Sequence, residues 1–217
     1  MKIPVIYRTI GFFLLSGLMV PTFSDINYYF VLNVVKFSKF TVSMLSIVGY
    51  ISLLGGVIMY NKWFKHREIR TLLKYSLILG FFSQIMNLGF ILRLNVKWLG
   101  VEDVTYILFT TALTDTLLLG LTQLPTLVLF AKITPNHVEA TVFAVLTGVF
   151  NFVNTVLSPN MGILLNKLFV GVTSAHLDNY YQLAMIGMFC SLIPWAFIKL
   201  IPTKAEVEAS TVNNPST

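Results

Sequence analysis

The chain has 217 residues, 56% of them hydrophobic and only 11% charged, and its mean hydropathy is +0.78. A soluble domain carries about 25% charged residues, so this is the composition of a membrane protein. A single cysteine, Cys190, excludes a disulfide framework or a cysteine-based metal site within the chain, and the formal charge of +6 sits mostly between apolar runs, where it reads as topology signal and anionic-lipid contact, not nucleic-acid binding.

In chain order, Lys2 and Arg8 precede an apolar run as in a signal peptide, but no small-residue cleavage site follows and Pro21 stands where cleavage would fall. The run is read as a retained first span at 10–31, and further spans are predicted at 40–60, 72–94, 106–130, 139–165 and 180–201. Most are close to the roughly 20 residues that cross a hydrocarbon core of about 30 Å, and the longer fifth requires a tilt or kink. The predicted fold is all-α and integral to the membrane, a six-helix transmembrane bundle over 1–202. The polar tail at 203–217 reads as disordered unless a partner surface holds it.

Sidedness follows from the basic residues. The N-terminus, the second and fourth loops and the tail hold ten of the 15 Lys and Arg (Lys2, Arg8, Lys62, Lys65, Arg67, Arg70, Lys74, Lys132, Lys199 and Lys204), which predicts both termini on the cytoplasmic or organellar-matrix side. The second loop is the most basic. Its Gly55-Gly56 pair followed by Arg67 and Arg70 loosely resembles the signature loop of the major facilitator superfamily, without the usual acid at Tyr60 or Asn61.

Polar residues recur inside the spans. Thr147, Asn151, Asn154 and Ser158 step by four, three and four along one helical face, beside a small-residue row of Ala140, Ala144 and Gly148. Ser76, Gly80, Ser83 and Asn87 repeat the same steps in the third span, and Thr111, Thr122 and Thr126 share a face with Asp115, next to Gln123. For the hydroxyls and amides the ordinary role is interhelical hydrogen bonding. Asp25, flanked by Ser24 and Tyr28, and Asp115 are different, because a carboxylate at membrane depth costs about 2.5–3.5 kcal/mol or more and normally faces a bundle interior or a water-filled cavity. Glu139 opens its helix after Pro135, where it complements the helix dipole. Pro21, Pro125, Pro159 and Pro194 each interrupt a span, as in the broken helices of transporters. His66, His137 and His176 lack metal-ligand spacing, and neither a phosphate-binding glycine loop nor a nucleophilic triad can be assembled. The residues therefore point to a non-enzymatic protein without metal or other cofactor.

The run Pro125-x-Leu127-Val128-Leu129, then Pro135, Val138-Glu139-Ala140-Thr141-x-Phe143-Ala144 and Asn151, resembles the folate–biopterin transporter family of the major facilitator superfamily. Gly162-x-Leu164-Leu165, Gly171-Val172-Thr173-Ser174, Asp178-Asn179 and the front segment Pro21-x-x-Ser24-Asp25 with Tyr28 and Tyr29 extend the likeness over nearly the whole chain. The resemblance implies the C-terminal six-helix half of a twelve-helix transporter that moves folates, pterins or related anionic solutes by alternating access, commonly coupled to protons. It makes Asp25, Asp115, Gln123, Tyr28, Asn151 and Asn154 candidates for proton coupling or substrate contact. Pro21, Pro125, Pro135, Glu139 and Thr141 are then structural motif positions. A half of this kind needs a partner half, a homodimer mate or other subunits in the bilayer. The alternative is a non-transporting subunit of a larger membrane complex, such as one of the mitochondrial inner membrane, that keeps a transporter-derived fold.

Overall fold

The computed structural model describes residues 3–135 and 138–212, without the side chains of residues 3, 111, 115 and 210–212. Ordered structure among the described residues is helical, with no strand. Helices α1 (Ile3–Met19) and α2 (Ser24–Asn33) form a pair bent by 40° where Pro21 denies the chain a helical N–H. They are followed by α3 (Lys39–Phe64), α4 (Ile69–Ile91), α5 (Asp103–Ile133), α6 (Glu139–Val170), α7 (Tyr180–Leu200) and α8 (Lys204–Val212).

Among the described residues, α3, α5, α6, α7 and the α1–α2 pair are long and apolar enough to cross a membrane, by length and composition. The sixth expected span is the 23-residue α4. Lys74, Gln84 and Asn87 dilute its hydropathy, and it does not meet that measure, so four helices, or five with the α1–α2 pair, do so among the described residues.

The prolines act through the carbonyl four residues back, which they leave without its N–H. For Pro125 that carbonyl belongs to Leu121, and the wide turn Leu119–Gln123 surrounds it. For Pro159 it belongs to Thr155, inside the wide turn Val153–Leu157. These π-type turns absorb an unpaired carbonyl that would otherwise kink the helix sharply. At Pro194 α7 breaks over 191–193 and restarts at Pro194–Phe197.

Two apolar cores sit at opposite ends of the bundle. At the end holding the starts of α1 and α8, Phe13, Phe130 and Phe150 meet edge to face with ring centres 5.3–6.2 Å apart, over fully buried Leu129, Ile133 and Ile201. At the other end Phe90 stacks on Tyr106 at 6.0 Å, and Phe30 packs against Tyr180, Leu183 and Val172. Helices α3 and α5 cross at Gly56 and Gly120, where a Cβ on Gly56 would stand 2.7 Å from the Thr116 carbonyl and one on Gly120 2.5 Å from Met59 Cε. The Gly55-Gly56 pair thus lies inside α3 and serves a helix crossing, not a loop.

The polar tail is also structured. Thr203 and Glu206 form a reciprocal cap at the start of α8: the Glu206 carboxylate accepts from Thr203 N–H at 2.8 Å, and Thr203 Oγ1 accepts from Glu206 N–H at 3.3 Å. Glu206 also receives Arg8 at 3.0 Å and Arg70 at 3.4 Å, while the two guanidiniums donate to the Lys199 and Ile201 carbonyls at the end of α7. Val207 is buried against the apolar core. One carboxylate therefore joins α1, α4, α7 and α8, where the tail was expected to be disordered; residues 213–217 lie outside the described residues.

Candidate functional site

The site begins at the gap between α1 and α2. Non-helical backbone at membrane depth must find hydrogen bonds within the protein. Thr22 N–H donates to the Ser158 carbonyl at 3.1 Å, and Ser158 Oγ donates to the Gly17 carbonyl at 3.2 Å. Gly162 lets the Thr22 carbonyl lie against its backbone where any Cβ would collide, and Gly17 does the same for Val153, 2.5 Å from a built Cβ. The break in the first span and the wide turn of α6 therefore hold each other.

Beside this junction, between α2, α4, α5 and α7, lie two cavities of about 290 and 210 Å³ that share Asn27, Gln84 and Asn87. Ser83, Thr110 and Thr114 line the first, and Ser24 and Tyr180 the second. Tyr180, 2% exposed, donates its hydroxyl to Asn27 Oδ1 at 3.2 Å and is also hydrogen-bonded by Asn87. The hydroxyls of Thr110 and Thr114 donate to helix carbonyls at 2.9 and 2.6 Å, which leaves their lone pairs to accept from a guest. The Gln84 amide makes no hydrogen bond among the described residues. No Asp, Glu, Lys, Arg or His lines either cavity among the described residues. Such a space offers neutral amide edges and the Phe90–Tyr106 ring pair, a set suited to a flat heterocycle with alternating donors and acceptors.

The candidate residues named from the sequence fall mostly elsewhere. Asp25 is exposed in the first turn of α2 and makes no ion pair or hydrogen bond among the described residues. Tyr28, 46% exposed, lines a neighbouring cavity of about 360 Å³ between α2, α3 and α5. Gln123 is exposed at the end of the wide turn in α5. Asn151 and Asn154 are exposed on α6, the Asn154 amide donating back to the Phe150 carbonyl at 2.9 Å, while Ser158 of the same stripe is buried at the α1 junction. Asp115 lies in α5, but its side chain, like that of Thr111, is outside the described residues, as is His137. Pro21 and Pro125 are buried, Pro135 is half-buried after α5, and Glu139 and Thr141 are exposed in the first turn of α6.

The sequence reading does not single out Asn27 or Gln84, because neither falls on the polar stripe or beside the acid that marks its helix. Asn87 was visible only as part of a stripe. The α8 clamp had a local signal, the Thr203-x-x-Glu206 capping box, which the polar composition of the tail obscured.

The comparisons with known proteins agree over the length of the chain. The Arabidopsis thaliana protein named Probable folate-biopterin transporter 4 is 31% identical over 204 residues, which cover 94% of this chain and 41% of that protein. The Folate-biopterin transporter of Synechocystis sp. is 29% identical over 186 residues, 84% of this chain and 36% of its own. Folate transporter 1 of Plasmodium falciparum is 22% identical over 194 residues, 89% of this chain and 38% of its own. The chain thus spans about two fifths of the length of these curated relatives. No solved structure matches it. With the BT1 family profile matching residues 1–216, and helices built to cross a bilayer, this integral membrane chain belongs to the BT1 family.

Proposed function

We propose that the chain forms one six-helix half of a major-facilitator-type transporter, moving a folate, pterin or related anionic solute by alternating access against a partner half. The observation that carries this reading is the exposure of polar side chains within helices built of apolar residues. Asn151, Asn154, Thr155 and Asn160 on α6, Gln123 on α5 and Asp25 on α2 are all exposed. Lipid is a poor neighbour for such groups, whereas a water-filled cleft or an opposing bundle is a good one. The broken first span and the amide-lined cavities beside it supply a binding wall, and the relatives' names supply the solute class. In this reading Asp25 and Asp115 serve proton coupling or solute contact. The end rich in Lys and Arg faces the cytoplasm or an organelle matrix.

The test is uptake of labelled folate or pterin by proteoliposomes holding the chain with its partner half. Asp25→Asn and Asp115→Asn are each expected to lower uptake about tenfold with the protein still folded, as loss of an intramembrane proton site does. Unchanged uptake in both removes the acids from the mechanism. The same exposed α6 face also fits a non-transporting subunit docked in a larger complex. Recovery at fixed stoichiometry with unrelated subunits, together with no uptake, would select that second reading.

A further inference from the structure

A groove of about 600 Å³ opens at the end of the bundle that carries the α8 clamp, between the α3–α4 turn, the end of α5, and the starts of α6 and α8. Its floor is apolar, with Leu129, Pro202 and Val207 buried. Its rim is basic, with Lys65, His66 and Arg67 from the turn and Lys132 from α5. None of these four side chains makes a hydrogen bond or ion pair among the described residues, although acids share the rim. Glu68 accepts from Thr71 Oγ1 at 3.3 Å, and Glu208 is matched to Lys204 at 3.8 Å. Glu139, the remaining acid, heads α6 without contacting any of the four. Three permanent cations without a partner among the described residues therefore line the groove above an apolar floor.

The depth of the groove indicates what fills it. Trp63 is 63% exposed two residues before Lys65, with Lys62 over its ring at 5.7 Å. Exposed tryptophans at span ends lie at the headgroup level of a bilayer, so the rim stands level with lipid phosphates. We propose that this groove binds the phosphate headgroup of an anionic phospholipid, held by Lys65, Arg67 and Lys132, with the glycerol region over Leu129 and Pro202. Soluble phosphate offers the same charge but nothing for the apolar floor. The proposal does not depend on which solute the protein moves.

Native mass spectrometry of the full chain released from mixed phosphatidylcholine–phosphatidylglycerol nanodiscs tests it. Phosphatidylglycerol is expected to be retained about tenfold over phosphatidylcholine, the preference that a few basic side chains confer on an anionic headgroup. The triple variant Lys65→Gln, Arg67→Gln, Lys132→Gln should lose that preference, while Lys97→Gln with Lys167→Gln at the opposite end should keep it. Should the triple variant not fold, Lys132→Glu alone is expected to reduce the preference several-fold, as reversing one of the three charges on the headgroup does. Equal retention of the two lipids, or equal loss in the Lys97/Lys167 control, overturns the proposal. Displacement of the lipid by millimolar inorganic phosphate would reassign the groove to a soluble phosphate compound.

Discussion

Removing Glu206 should loosen one whole end of the bundle. Its carboxylate accepts hydrogen bonds from Thr203 N–H and Oγ1 and from the guanidiniums of Arg8 and Arg70. The side chain is 40% exposed, so water screens both ion pairs, and together they contribute about 1 kcal/mol, with the N-terminal cap adding about 1 kcal/mol. Glu206→Ala is therefore expected to destabilise the protein by about 2 kcal/mol, lowering Tm by about 4–8 °C for a chain of this size. Glu206→Gln keeps an acceptor for the cap and should lose about half as much. Thermal unfolding in mild detergent, followed by circular dichroism, measures both. The pH dependence has a definite sign. The Thr203 N–H first, and then the Arg8 hydrogen bond, hold the Glu206 carboxyl below its ordinary value of 4.5. Its contribution is thus fully present above pH 4.5 and is lost as pH falls below that value and through the lower folded one. The Tm gap between wild type and Glu206→Gln should stay constant near neutrality and close in acid. An unchanged Tm in Glu206→Ala, or strict additivity with Arg8→Gln, would refute the clamp.

Three other outcomes follow from the packing. Gly162→Ala drives a methyl into the Thr22 carbonyl and should cost about 2–3 kcal/mol, read as a lowered Tm and a smaller monodisperse fraction on size exclusion. Tyr180→Phe removes the donor to Asn27 and should cost about 1 kcal/mol; a double-mutant cycle with Asn27→Ala is expected to recover that coupling. Pro159→Ala returns an N–H to the Thr155 carbonyl inside the wide turn of α6. It should preserve folding but lower uptake at least several-fold by turning α6 against the α1–α2 break, and full uptake would count against the turn as a working part.

Much of the fold was legible in the sequence because hydropathy and proline act locally. Pro21, Pro125, Pro159 and Pro194 each mark a real irregularity in a span. The polar stripe of α6 was less faithful. Steps of four, three and four place Thr147, Asn151, Asn154 and Ser158 on one face of a regular helix, yet Ser158 is buried and Asn151 and Asn154 are exposed. The wide turn Val153–Leu157 inserts an extra residue, which rotates everything after it by roughly 100°. Periodicity cannot report its own interruption. The amide-lined cavities were less legible still, because Asn27, Gln84 and Asn87 come together only when α2 and α4 pack.

The seam between the α1–α2 break and α6 also bears on how the chain is made. Ser158 and Gly17, joined by a hydrogen bond, are 141 residues apart. Until α6 enters the bilayer, Thr22 N–H and the Gly17 carbonyl lack their partners in a medium that supplies none. The α1–α2 break thus stays unfinished through the synthesis of α3, α4 and α5, and its bend becomes permanent only when α6 arrives.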